Sequence, residues 1–107
     1  MEVAPVRDVS SAEACLARID EIDFEIIDLI AKRFAITDQV ADLKAREGIA
    51  ITDTGREKQI FEKVARDAEE MGIAAGPAID FFRFIIDESK VRQGRRISKA
   101  IAPPDQY

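Results

Sequence analysis

Seven polar side chains of this 107-residue chain have the types and spacing needed to bind a small anion. They supply three cations, two carboxylates, a hydroxyl and an amide: Arg33, Lys44, Arg56, Asp53, Glu57, Ser89 and Gln93. Arg33 and Lys44 are eleven residues apart, so on a helix they lie on one face, about 16 Å apart along the axis. That face is otherwise apolar, and two cations on it are costly unless an anion pairs with them. The set therefore predicts a site for a small, multiply hydroxylated anion.

The segment DTGREK, residues 53–58, has both a structural and a functional interpretation. Thr54 and Glu57 have the spacing of a capping box, in which each side chain satisfies a backbone N–H at a helix start. Asp53 is also favoured there by the helix dipole, whereas a cation at Arg56 opposes that dipole. Glu57 shares a face with the apolar stripe that follows it, so its carboxylate is expected on the inner side of the helix. Capping accounts for Asp53 and Glu57 but not for Arg56.

One long helix must position the first two cations. Ser10 and Glu13 form another capping-box spacing, and an apolar stripe with helical periodicity then recurs until Gly48. The stripe consists of Leu16, Ile19, Ile22, Ile26, Leu29, Ile30, Val40 and Leu43. A helix of about 35 residues is about 50 Å long, more than two shorter helices can cover. We therefore predict an intertwined homodimer in which two such helices pair. The alternative is a helix that bends or breaks near Ala31 and folds back.

Two shorter helices must position the remaining groups. The second is predicted over about residues 54–71, ends at a Gly72 cap, and buries a stripe of Ile60, Phe61, Val64, Ala68 and Met71. The third starts near Pro77, carries Ile79, Phe82, Ile85 and Ile86, and fades after Gln93 and Gly94. Ser89 and Gln93 continue its apolar stripe. We thus expect an all-α chain with a flexible N-terminus at 1–10, a helical domain at 11–94 and a flexible tail at 95–107.

Composition excludes several classes of function. The chain has no histidine and one cysteine, Cys15, so histidine-dependent nucleophiles and an intrachain disulfide are both ruled out. No zinc spacing or phosphate-binding glycine loop appears, so we expect neither a metal nor a cofactor. The net charge of −5 argues against general nucleic-acid binding. No segment has the length and apolarity of a membrane span or a signal peptide, so a soluble protein of the reducing cytoplasm is expected.

These residues together resemble the all-helical, type II family of chorismate mutases. The resemblance covers roughly residues 15–93, through LARIDEIDFEIIDLIAKRF, Lys44, DTGREK and FFRFIIDESKVRQ, with the family spacing kept between these blocks. It implies a three-helix chain that forms an intertwined dimer with two active sites. It also implies the conversion of chorismate to prephenate in aromatic amino-acid biosynthesis, an intramolecular rearrangement that needs no nucleophile, metal or cofactor.

The resemblance also implies a role for each polar residue. Arg33 and Lys44 match a cation pair that binds a substrate carboxylate and the ether oxygen of the breaking bond. The family pattern D-x-x-R-E matches Asp53, Arg56 and Glu57, and its glutamate accepts a hydrogen bond from the ring hydroxyl of the substrate. In the family, a serine lies at a carboxylate of the substrate and a glutamine lies at its ether oxygen. Ser89 and Gln93 match these two residues.

One family residue is missing from this sequence. Where the family has an arginine that reaches the substrate of the other subunit, this chain has Leu16. Arg18 lies about 200° further around the helix, so it replaces that arginine only with a change of register or approach. Arg7 is a second possible substitute. Without one, an unpaired carboxylate of a buried dianion costs on the order of 2 to 5 kcal/mol.

Two other functions remain open from the sequence. An isochorismate pyruvate lyase shares the scaffold, although Glu57 and Ser89 favour the mutase. The second is a weakly active binding or regulatory module, which depends on a partner such as a synthase of the same pathway. Leu16 suggests this module, as does a basic cluster, defined as Arg92, Arg95, Arg96 and Lys99. Such a cluster is more typical of a solvated helix end than of a nucleic-acid site.

Overall fold

The fold is a chain of three α-helices. The computed structural model describes residues 11–50 and 53–101, which form α1 (Ala12–Glu47), α2 (Thr54–Glu70) and α3 (Ala75–Ile101). These two ranges contain no β-strand, and within them no helix is both long and apolar enough to cross a membrane. The predicted all-α class and the number of helices are confirmed. Residues 1–10 and 102–107, expected to be flexible, lie outside the described ranges.

The chain divides into two compact units. Residues up to Arg33 form the first unit, and residues from Phe34 onward form the second. The first unit therefore contains the beginning of α1, and the second contains its end together with α2 and α3. α1 spans 36 residues and continues through Ala31. The predicted length is confirmed, and the alternative of a helix broken near Ala31 is wrong.

The first unit carries its large apolar side chains on the surface. Their exposed fractions run from 37% to 72%, at Leu16, Ile19, Ile22, Phe24, Ile26, Ile27 and Leu29. The start of α1 is capped by Ser11, whose Oγ accepts a hydrogen bond from the Ala14 backbone N–H at 3.1 Å. The predicted cap, Ser10, lies outside the described residues. This unit thus has an apolar face but lacks a buried core among its described side chains.

The second unit contains a small core. Its buried apolar residues are Ala41, Ala68, Ile85 and Ile86, and its buried polar residues are Ser89 and Gln93. α2 packs against α3, and the guanidinium of Arg83 lies 4.7 Å from the centre of the Phe61 ring. Met71, predicted to be part of the α2 stripe, is instead the C-terminal cap residue and is 60% exposed. It falls where the helix has already begun to unwind.

Glycines end the first two helices as their positions predict. Gly48 and Gly72 have φ angles of 69° and 77°, in the left-handed region that favours glycine. After α1, the Ile49 N–H donates to the Lys44 carbonyl at 2.9 Å. After α2, the Ile73 N–H donates to the Ala68 carbonyl at 2.8 Å. These bonds satisfy carbonyls that a helix end would otherwise leave without partners.

α3 runs further than the sequence indicated. The predicted end at Gln93 and Gly94 is wrong, because the helix continues to Ile101. Glycine inside a helix costs about 0.5 to 1 kcal/mol relative to alanine. Two contacts with α1 offset this cost: Arg92 Nη2 lies 2.8 Å from Asp38 Oδ2, and Arg96 Nη2 lies 2.7 Å from Asp42 Oδ2. Such tertiary contacts outweigh a weak local preference.

The cap of α2 is Asp53 and not Thr54. Asp53 has an extended backbone (φ −129°, ψ 97°), and its Oδ1 accepts a hydrogen bond from the Arg56 backbone N–H at 3.0 Å. The predicted capping box of Thr54 and Glu57 is therefore wrong by one residue. Because α2 starts one residue earlier than a Thr54 cap requires, Glu57 moves out of the position that reaches back to the cap. Its carboxylate is used elsewhere.

Substitution at Asp53 tests this cap. Asp53→Ala should lower the free energy of unfolding by about 1 kcal/mol, because the Arg56 N–H loses its acceptor. Asp53→Asn keeps an acceptor oxygen and should cost much less. Thr54→Ala should stay within about 0.5 kcal/mol of the parent. Urea unfolding followed by circular dichroism at one protein concentration measures all three, and a larger loss for Thr54→Ala than for Asp53→Ala would restore the capping box.

Candidate functional site

Two polar residues of the candidate site lie in the core of the second unit. Ser89 and Gln93 are 4% and 7% exposed, and they extend the buried stripe of Ile85 and Ile86 along α3. The Ser89 hydroxyl donates to the Ile85 carbonyl at 2.9 Å. Gln93 Nε2 donates to the carbonyl of Thr37 on α1 at 3.1 Å. The prediction that both side chains point inward is confirmed.

The bond to Thr37 determines which way the Gln93 amide faces. A carbonyl only accepts hydrogen bonds, so it selects the NH₂ group of the amide and not its oxygen. An NH₂ group has two N–H bonds and can donate to two acceptors at once. Gln93 can therefore keep its bond to Thr37 while donating to an oxygen of a bound molecule.

Glu57 pairs with a lysine that sequence reasoning did not identify. Its Oε2 lies 3.1 Å from Nζ of Lys90, and the two side chains are 24% and 33% exposed. Lys90 directly follows Ser89 and precedes Gln93 by three residues, so its place on α3 was a usable signal. The pair joins the first turn of α2 to the middle of α3 and turns the Glu57 carboxylate toward α3.

Asp53 and Arg56 lie at the exposed start of α2. Asp53 uses Oδ1 for the cap, and its second oxygen can accept a further hydrogen bond. A groove of about 440 Å³ lies beside this turn, lined mainly by α2 residues including Glu57 and Phe61, with Ile79 from α3. Of the seven predicted site residues, only Glu57 lines this groove. The groove and the predicted set therefore do not coincide.

Lys44 and Arg33 are placed in different units. Lys44 lies half-buried in the last turn of α1, where the helix dipole favours a cation. Arg33 is half-buried at the end of the first unit. The second unit thus holds six of the seven predicted residues, on three helices, and the first unit holds the seventh.

The position at which the resemblance implies an arginine is exposed. Leu16 is 61% exposed in the first unit. The nearby Arg18 lies 3.3 Å from carboxylate oxygens of both Glu21 and Glu25 on its own helix. For Arg18 to replace the missing arginine, it would have to exchange these partners for a substrate carboxylate. The other possible substitute, Arg7, lies outside the described residues.

The basic cluster is partly neutralised by α1. Arg92 pairs with Asp38 and stacks 4.8 Å from the centre of the Phe34 ring. Arg96 forms two hydrogen bonds to Asp42, at 2.7 and 3.1 Å. These two arginines connect α3 to α1, and their side chains remain 39% and 45% exposed, which agrees with the interpretation of the cluster as a solvated helix end. This pairing also removes much of the basis for a nucleic-acid surface.

The pair between Arg96 and Asp42 is sensitive to acid. Its hydrogen bond lowers the pKa of the Asp42 carboxyl below the ordinary value and raises the pKa of Arg96. A lowered carboxyl pKa in the folded state contributes stability above the ordinary pKa, and this contribution is lost as the pH falls through the lowered one. Both side chains are solvated, so the effect on stability is small.

The chemistry available to this set is binding and charge stabilisation. Among the described residues, no group of three histidine, cysteine or carboxylate side chains could hold a metal ion. The set offers cations and N–H donors for carboxylates and for a developing negative charge, with carboxylate acceptors for hydroxyl groups. These are the requirements of a reaction in which one bound anion rearranges.

Comparison with known proteins agrees with the chemistry that these site residues offer. The family model for chorismate mutase type II matches residues 15–94, a range that includes all seven predicted site residues. A chorismate mutase from Methanocaldococcus jannaschii is 36% identical over 76 residues, which are 71% of this chain and 77% of that protein.

Two longer relatives extend the comparison. A T-protein from Enterobacter agglomerans is 27% identical over 95 residues, or 89% of this chain and 26% of that protein. A bifunctional chorismate mutase/prephenate dehydratase from Buchnera aphidicola is 29% identical over 83 residues, or 78% of this chain and 22% of that protein. The chain thus spans about a quarter of these two relatives. No solved structure matches it significantly. The chain belongs to the type II chorismate mutase family.

Proposed function

We propose that this protein converts chorismate to prephenate by a cofactor-free Claisen rearrangement. The observation that carries this proposal is the family match over residues 15–94, within which every polar residue of the candidate site is present. The relative from Methanocaldococcus jannaschii, similar over most of both chains, is named a chorismate mutase. A mutase of this type would act in aromatic amino-acid biosynthesis in the cytoplasm, and a synthase of that pathway is a possible partner.

Catalysis would come from holding one conformer and stabilising one charge. Arg33, Arg56 and Ser89 would bind the two carboxylates and hold the side chain of chorismate over its ring, where the new C–C bond forms. Lys44 and Gln93 would donate to the ether oxygen, on which negative charge grows as the C–O bond breaks. The orientation of Gln93 supports this role, since Thr37 aligns its NH₂ group and not its oxygen.

The carboxylates would recognise the ring hydroxyl of chorismate. Glu57 would accept its hydrogen bond, and Asp53 would help to position it while also capping α2. The discrimination would come from the site itself, because a bound substrate would cover these carboxylates, and a covered acceptor left without its donor is strongly unfavourable. A substrate without this hydroxyl would therefore be processed less well.

We further propose an intertwined homodimer as the active form. The apolar side chains of the first unit are exposed, and covering a leucine or isoleucine contributes roughly 1.5 to 3 kcal/mol. A second copy of the same helix offers a matching apolar stripe and a closed arrangement. The dimer would also bring the start of α1 from one subunit toward the substrate of the other, as in the family.

Turnover of chorismate tests the proposed reaction. Purified protein should consume chorismate and form prephenate, and Lys44→Ala should lower kcat/KM by about 10²-fold or more because it removes a donor to the ether oxygen. Lys63→Ala is a matched control, since that lysine pairs on the surface of α2 with Asp67. Faster consumption of isochorismate than of chorismate would contradict the mutase and favour the lyase.

The variant Leu16→Arg belongs in the same assay. Little change in turnover would mean that another group already serves the carboxylate bound by the family arginine. A weak parent enzyme that Leu16→Arg restores would instead support a partner-dependent or regulatory module. Either result decides how this chain works without the family arginine.

Light scattering tests the dimer. The particle mass should be twice the 11.9 kDa of the chain. Ile26→Glu should shift the mass toward the monomer, because it places a charge in the middle of the apolar stripe. Lys32→Glu introduces the same side chain at a position where the lysine is 68% exposed, and it should leave the dimer intact. A monodisperse 11.9 kDa particle at the concentration of the activity assay would contradict the proposal.

A further inference from the structure

The ion pair between Glu57 and Lys90 differs from the other lysine pairs of the described helices. Lys32 with Asp28 and Lys63 with Asp67 are pairs within one helix, and both lysines are 68% exposed. Lys90 is 33% exposed and reaches from α3 to α2, with Nζ 3.1 Å from Glu57 Oε2. Its charged group thus bridges two helices.

Lys90 lies on the same stretch of α3 as the polar residues of the candidate site. It follows Ser89 directly, and residues three apart, as Lys90 and Gln93 are, lie next to each other on a helix surface. One turn and a half of α3 therefore presents a hydroxyl, a cation and an amide. The cation is the member that touches the Glu57 carboxylate.

The contact leaves Glu57 able to bind a second group. A carboxylate has two oxygens that accept hydrogen bonds from different directions. With Oε2 held by Lys90, rotation of the carboxylate is restricted, and Oε1 has a defined direction for an incoming donor. A carboxylate without such a partner would be free to turn and would repel a substrate that carries two negative charges.

We propose that Lys90 is a positioning residue and specificity determinant of the site, one that aims Glu57 at the ring hydroxyl of the substrate. It also cancels the charge of Glu57 toward the dianionic substrate. This proposal rests on the proposed function and deepens it. Lys90 acts through Glu57, so its effect should depend on Glu57 and on the hydroxyl.

Steady-state kinetics on chorismate provide the first test. Lys90→Met should lower kcat/KM about tenfold, mainly through KM, and Lys90→Arg should recover most of this loss. In a double-mutant cycle, Glu57→Gln with Lys90→Met should be no worse than Glu57→Gln alone, because the lysine has nothing left to orient. Lys63→Met, which breaks a surface pair of the same type, is the control and should match the parent.

A second substrate separates positioning from simple structural support. With a chorismate analogue in which hydrogen replaces the ring hydroxyl, Lys90→Met should lose clearly less kcat/KM than it loses on chorismate, because only the repulsion between Glu57 and the dianion remains. An equal loss on both substrates would overturn the proposal and leave Lys90 as a helix-to-helix contact. Parent-like kcat/KM of Lys90→Met on chorismate would overturn it as well, and would make the pair an ordinary surface salt bridge.

Calorimetric titration distinguishes failure of this proposal from failure of the proposed function. If the parent protein binds chorismate but turns it over poorly, Lys90→Met should still raise the Kd for chorismate about tenfold, and an unchanged Kd overturns the role of Lys90. If the parent neither binds nor converts chorismate, the proposed function falls and the role of Lys90 falls with it. If the parent converts chorismate and Lys90→Met behaves identically, only the role of Lys90 is lost.

Discussion

The structure depends on how the apolar face of α1 is covered. α1 has 36 residues, whereas α2 and α3 have 17 and 27, and the large apolar side chains at the start of α1 remain exposed. The end of α1 is different, because Asp38 and Asp42 pair with arginines of α3 and Thr37 accepts a hydrogen bond from Gln93. A single helix thus supplies a core contact at one end and an uncovered apolar surface at the other. Pairing with a second copy of the chain would satisfy the uncovered part.

The candidate site uses the same contacts that stabilise the second unit. Gln93 joins α3 to α1 through Thr37, and Lys90 joins α3 to α2 through Glu57. Burial of Ser89 and Gln93 is tolerated because each donates a hydrogen bond to a carbonyl. Side chains held in this way are already oriented before a substrate arrives, which reduces the entropy that binding must remove. Fold and proposed catalysis are therefore difficult to separate by mutation, and conservative variants are the useful ones.

Much of this could be predicted from the sequence, and the errors have identifiable causes. Long apolar stripes and the glycines at positions 48 and 72 indicated the number of helices and two of their ends, because these signals are local. The predicted cap of α2 was wrong by one residue because Asp53 and Thr54 are both good capping residues. The predicted end of α3 was wrong because partners distant in sequence, on α1, stabilise the helix beyond Gly94. Lys90 was overlooked for the same reason, since only the packing of α3 on α2 brings it to Glu57.

The most direct test of the account measures turnover per chain and particle mass in the same samples across a dilution series. If the start of α1 needs a second copy to complete the protein, chorismate turnover per chain should stay constant while the dimer persists. It should then fall in proportion to the fraction of dimer as the subunits separate. Full turnover by a dispersed 11.9 kDa monomer would contradict the claim that the exposed face of α1 and the active site depend on the same association.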